Sequence, residues 1–175
     1  MSSWREDGRG SERVSKVAMR VEQRLEELGL SLPPPAEPSF QYVPVAVHAG
    51  VAYVSGQLPR ENGEVRITGK VGETVSTEAA QRAARICILQ GLSCLKAAIG
   101  SLDNVERILK VTGFVASAPG FVQQPRVLDA ASNLLVELFG ERGRHARSAI
   151  GVFELPRSAP VEIEMVVAVR GGGAA

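Results

Sequence analysis

The sequence predicts an α+β protein, a mixed sheet with two helices packed on one face. Three observations carry this expectation. Short segments in which apolar residues alternate with polar ones flank two longer stretches of helical periodicity. Their order reads strand-strand-(strand)-helix-strand-helix-strand-strand, so two crossover helices are expected to lie on the same side of the sheet. The 175 residues, 45% of them hydrophobic, suffice for one sizeable core and fall short of two.

The elements follow in order. Ser11 is a candidate helix cap, and Val14, Ala18, Val21, Leu25 and Leu28 recur at spacings of four and three before Gly29, which suits a C-terminal cap. The proline-rich stretch Leu32 to Pro38 then reads as a stiff connector. This divides the chain into an N-terminal helix with its connector, 1–38, and a main domain, 39–175. The helix can pack on its own domain, bind a neighbouring subunit or recruit a partner, and the connector predicts that deleting residues 1–37 leaves a folded domain.

From Tyr42, the alternation of Val43, Val45 and Val47 and the turn at Ala49-Gly50 predict a hairpin into Val51–Gly56. Arg60 to Gly63 is a turn signal, and Glu64 to Val71 a candidate third strand. Ser76 or Thr77 caps a long helix, Glu78 to Ile99, closed by Gly100; its small residues Ala79, Ala80, Ala83, Ala84 and Gly91 permit close approach to a sheet. Val105 to Val115 is rich in β-branched residues and reads as a strand. A second helix starts near Pro125, which fits a first-turn position, and runs to Gly140. Arg147 to Leu155 and Val161 to Val169 are the last strands, expected to pair as a hairpin. With no further helix to cover the other sheet face, a second subunit is the economical cover.

Composition narrows the function. Lysine and arginine total 20 against 19 aspartate and glutamate, so the formal charge of +1 provides no overall field for nucleic acid or membrane. The polar start lacks the apolar centre of a secretory signal and no run is long enough to span a membrane, so a cytoplasmic protein is expected. Cys87 and Cys94 lie about 10 Å apart along one helix, too far for a disulfide, and read as small buried residues. With two histidines and no Cys-x-x-Cys pair, no metal site is expected. The nucleophile-elbow, phosphate-loop, dinucleotide and zinc-protease signatures are all missing.

The remaining chemistry concentrates between His145 and Glu164. Arg147 opens a strand with a planar fork suited to gripping a carboxylate through two parallel hydrogen bonds, and Glu162 follows fifteen residues later. On paired strands the two can face one cleft, or can form no more than a surface Arg–Glu pair.

The segment ARSAIGVFELPRSAPVEIE, from Ala146 to Glu164, resembles the C-terminal signature of the RidA/YjgF family. Ser55-Gly56-Gln57-Leu58-Pro59 resembles that family's S-G-Q-[IL]-P segment, Ile108 to Val115 its central strand, and Tyr42 falls where the family has a tyrosine at the pocket edge. The resemblance covers Tyr42 to Arg170. It implies a chorismate-mutase-like fold, a homotrimer with clefts between adjacent subunits, and cofactor-independent hydrolysis of reactive 2-enamines and 2-imines to 2-keto acids and ammonia. By the same resemblance Arg147 binds the substrate carboxylate, Glu162 positions the attacking water, and the Ala149 backbone amide contributes. Gly56 brings its backbone close to substrate or only relieves crowding, and Tyr42 closes the pocket or belongs to the core.

Three departures mark a divergent branch: Ala149 replaces a frequent cysteine, Ser132 or Asn133 stands where a helix asparagine is common, and the segment Gly140 to His145 adds positive charge. Two other functions stay open. One is a trimer that senses a keto acid without turnover. The other is an endoribonuclease, argued by the basic cluster Arg142, Arg144, His145 and Arg147 and opposed by balanced charge and only 5% aromatic residues.

Overall fold

A computed structural model describes residues 20–37 and 41–170. Seven strands and three α-helices follow one another as α1 (Val21–Glu27), β1 (Val45–His48), β2 (Val51–Gln57), β3 (Arg60–Glu61), β4 (Glu64–Val65), α2 (Thr77–Ile99), β5 (Val105–Ala116), α3 (Gln124–Phe139), β6 (Ala146–Val152) and β7 (Val161–Val169). Five strands form one sheet in the order β1-β2-β7-β5-β6, in which only β5 and β6 run parallel. The α+β mixed sheet expected from the sequence is therefore the one observed.

Two sequence expectations about strands are corrected. The final two strands do not pair, because β5 lies between them: β7 inserts between β2 and β5, while α3 returns the chain so that β6 joins the outer edge of β5 in parallel. The segment that carries the chain from β6 to β7 bends through Arg157 and Ser158, both at positive φ, 58° and 54°. The proposed third strand shrinks to Glu64–Val65, which pairs with Arg60–Glu61 in a separate two-stranded hairpin. Asn62 and Gly63 form its turn, both at positive φ, the backbone that a two-residue hairpin requires.

Both long helices cover one face. Ser76 caps α2 by accepting the Ala79 amide at 3.1 Å, and Ile88, Leu92 and Leu95 are fully buried. Gly91 lets α2 cross β7 closely, since a Cβ there would lie 2.7 Å from the Met165 methyl. Gly113 in β5 does the same for Leu128 of α3. Inward positions of the strands, including Val54, Val111, Ile163, Met165 and Val167, complete the core beneath Leu128, Ala131, Leu134 and Leu135. Cys87 and Cys94 are buried and unbridged.

The opposite face is open and partly apolar. Tyr53 is 54% and Ile150 42% exposed there, beside Phe114 and Val166. No helix among the described residues is long and apolar enough to cross a membrane.

The N-terminal helix packs on this body. Val21 and Leu25 are buried in the common core, and Leu28, Leu30 and Leu32 pack against it. Asp103 caps α1 by accepting the Val21 amide at 2.9 Å, and Ser93 of α2 donates to the Pro33 carbonyl of the connector. Gly29, at a φ of 65°, ends the helix as expected. The cap expected at Ser11 and the positions Val14 and Ala18 lie outside the described residues.

Candidate functional site

Arg147 occupies the second position of β6, where the register pairs it with Val111 and turns its side chain toward α3. One terminal nitrogen, Nη1, donates to Asp129 Oδ1 and to Ser132 Oγ, each at 3.0 Å. Asp129 and Ser132 are three residues apart on α3, so the helix presents both to the same guanidinium. Nε and Nη2 meet no acceptor among the described residues. The side-on fork, two parallel N–H groups, is left for a planar anion. Arg147 is thus neither paired with Glu162 nor wholly unpaired, and its side chain is 24% exposed.

His145 completes this cluster. Its Nδ1 lies 2.6 Å from the Gly143 carbonyl and its Nε2 3.0 Å from Ser132 Oγ. Burial, with a smaller contribution from the Arg147 charge, holds the ring below its ordinary value of 6.5, against the hydrogen bond to Gly143. The neutral ring is therefore the favoured form. Ala149, two residues beyond Arg147 on the same strand face, packs its methyl against the core.

Glu162, Gly56 and Tyr42 lie elsewhere on the fold. Glu162 pairs in register with Phe114 and points to the open face, so Arg147 and Glu162 project from opposite faces of one sheet with β5 between them. The single cleft that the hairpin expectation gave them is not formed within one chain. The Glu162 carboxylate folds over Gly56, where any Cβ would collide with it. Burial, and secondarily the neighbouring Glu164, raises this carboxyl above its ordinary 4.5. Tyr42 is 56% exposed, and with Gly56, Gln57, Leu58 and Arg60 it lines a hollow of about 30 Å³. Ser55 holds the Tyr42 segment in place, its hydroxyl donating to the Val43 carbonyl and its amide to that of Pro44. Gly56 and Tyr42 thus line one hollow, and Tyr42 is exposed rather than part of the core.

Asp129 escaped the sequence reading altogether, and Ser132 and His145 entered it only as a departure and as part of a basic run. A signal existed: Asp129 and Ser132 sit on the polar edge of a helix whose Leu128, Ala131 and Leu135 face the sheet. What points them at Arg147 is the parallel β5–β6 pairing, which sequence spacing did not reveal. No group of three metal-binding side chains is gathered among the described residues.

Comparison with known proteins agrees with this architecture. A protein of unknown function from Agrobacterium tumefaciens superposes with a TM-score of 0.80 at 47% identity, covering 85% of this chain and 92% of that one. A Shewanella oneidensis structure described as a "putative endoribonuclease" superposes with a TM-score of 0.83 at 28% identity, covering 86% and 100%. Protein TCP17 of Trypanosoma cruzi is 42% identical over 149 residues, 85% of this chain and 93% of that protein. Residues 22–161 match the family profile described as "YjgF/chorismate_mutase-like, putative endoribonuclease". That match takes in α1 as well as the segment from Tyr42 onward, and with it the chain belongs to the YjgF/chorismate-mutase-like family.

Proposed function

We propose that the protein hydrolyses 2-enamine and 2-imine intermediates of amino acids to 2-keto acids and ammonia, in the cytoplasm and without metal or organic cofactor. The observation that carries this reading is the Arg147 guanidinium, anchored through Nη1 with its Nε/Nη2 fork free. Such a fork holds the substrate carboxylate and fixes the imine carbon. The carbon is already electrophilic, so the reaction needs a positioned water and a group to move protons. Glu162 fills that role, its carboxyl being raised toward proton exchange. As the C–O bond forms it takes one proton from water and passes it to the imine nitrogen. As the resulting carbinolamine collapses it takes the hydroxyl proton and passes it to the amine nitrogen, so that C=O forms, the C–N bond breaks and ammonia leaves. The Ala149 backbone amide and the Gly56 backbone line the reacting group, and Tyr42 closes the pocket.

The two halves project from opposite faces of one sheet, so a complete site takes Arg147 from one subunit and Glu162 from another. A homotrimer provides this and covers the open face around Tyr53 and Ile150. The test generates an imine in situ from an amino acid with an amino acid oxidase and traps what survives as a semicarbazone. The protein is expected to cut trapping sharply, and Arg147→Ala to leave it as without protein. Binding of 2-ketobutyrate with no effect on trapping selects the sensing reading, and cleavage of RNA by the wild type but not by Arg147→Ala selects the endoribonuclease. A monomer by light scattering removes the shared site.

A further inference from the structure

We infer that Ser132 and His145 are a positioning pair that aims the Arg147 guanidinium, so that carboxylate binding at Arg147 depends on the state of the His145 ring. This rests on the carboxylate-binding role just proposed for Arg147 and adds residues that the motif resemblance does not assign.

The hydrogen bonds fix their own direction. The Gly143 carbonyl can only accept, so Nδ1 of His145 carries the hydrogen. In the neutral ring Nε2 is then bare and accepts, which obliges the Ser132 hydroxyl to donate to it. With its hydrogen committed, Ser132 Oγ turns a lone pair to Arg147 Nη1. Asp129 takes the other Nη1 hydrogen. Every donor in the chain from Arg147 through Ser132 and His145 to Gly143 meets one acceptor, and the free fork is the edge of the guanidinium that this chain does not use. Gly143 is itself fixed, since a Cβ there would strike the α3 backbone at Leu135. The pair acts through Arg147 and not on substrate.

Protonating His145 breaks the chain. Nε2 then becomes a donor, Ser132 must accept from it, and the hydroxyl hydrogen swings toward a guanidinium that can only donate. The charge that acts on the ring is Arg147 of β6, itself held by Asp129 of α3, and the preceding turn carries an exposed Arg144–Glu141 pair. Lys110 of β5 is turned away, donating to Ser148 on the other face. Arg147 makes the protonated ring still less favourable.

The test is titration calorimetry of the full chain with 2-ketobutyrate, whose carboxyl stays ionised throughout, between pH 5 and 8. Loss of one neutral hydrogen bond in the chain corresponds to about five- to tenfold in Kd. His145→Ala and Ser132→Ala are each expected to weaken binding by that factor at pH 7.5, and His145→Gln, whose amide oxygen can accept from Ser132, to recover most of it. Wild-type binding should weaken as pH falls through the lowered value of His145, which lies below the ordinary 6.5, while His145→Gln loses this acid limb. Ser132→Ala places a good helix former in α3 and keeps the test decisive where a His145 variant is unstable. Wild-type affinity and pH profile in both alanine variants overturn the inference, as does a glutamine variant no better than alanine. Undiminished binding by Arg147→Ala instead overturns the carboxylate site on which the inference stands.

Discussion

Replacing Gly56 with alanine adds one methyl group at the point where the Glu162 carboxylate lies over the β2 backbone. Gly56 is not in the left-handed region, so its backbone accommodates alanine and the effect is steric. The added Cβ overlaps Glu162 Oε1 and comes within 2.9 Å of its Cδ, so the carboxyl group has to move by about 1 Å or more to restore ordinary contact. Because the obstacle is the far end of a flexible side chain, the fold should lose no more than about 1 kcal/mol. Catalysis is less tolerant, since misplacing a reacting group by about 1 Å costs on the order of 100-fold. Gly56→Ala is therefore expected to lower kcat about 100-fold in the imine-trapping assay with KM changed little, because Arg147 lies on the other sheet face. Thermal melting run beside the kinetics shows that the variant is folded. A rise in KM with kcat preserved would assign Gly56 to close backbone approach by substrate, and wild-type kinetics would refute the placement of Glu162 altogether.

The other predictions use the same assays. Arg147→Ala should abolish imine hydrolysis while shifting Tm by only a few degrees, because Asp129 is 55% exposed and stays hydrated when its partner is removed; activity lost only through unfolding would make the arginine structural. Glu162→Gln should abolish activity yet raise Tm at pH 8. The raised carboxyl favours its protonated form, so native stability is complete below about 4.5 and is lost as pH rises through the raised value, and the gain should vanish toward pH 4.5. For His145, held below 6.5, stability is present above that value and is lost as pH falls through the lowered one, so wild-type Tm should decline on acidification and His145→Gln should flatten the decline. Leu25→Ala should cost about 2–4 kcal/mol, and deleting residues 1–37 more, because α1 fills part of the common core; a truncated chain with unchanged Tm would restore the helix as an appendage.

Much of the fold was legible because local signals agreed with the tertiary outcome. Ser76 capping α2, Pro125 in the first turn of α3, and alternation along Val161–Val169 each specify an element without reference to the rest of the chain. Pairing was not legible in the same way. Val161–Val169 alternates on its two faces whether it pairs with β6 or with β2 and β5, so nothing local distinguished a hairpin from an inserted strand. Gly29 and the prolines after it signalled a boundary, yet the buried seam of Val21 and Leu25 joins α1 to the core across it. At the site, the motifs located Tyr42, Gly56, Arg147 and Glu162, while Asp129 became visible only once α3 was seen to lie beside the first residues of β6.

The outer edge of β6 and the open face belong to one problem. β6 is an edge strand, and an edge strand with unpaired backbone groups invites association with another chain. On the open face Tyr53 and Ile150 remain exposed beside the half-buried Glu162, a carboxyl that water would otherwise hold at its ordinary value. Association through this face removes further water from Glu162 and so moves its carboxyl further in the direction a proton-transferring group requires. In the proposed trimer it also brings a second subunit's Arg147 to the carboxylate that its own chain cannot reach. The same contact would then bury apolar surface, raise the acid and complete the site, which ties activity to assembly: dilution below the dissociation constant of the assembly should extinguish hydrolysis and lower the Glu162 titration together, and activity that persists in a demonstrated monomer would separate them.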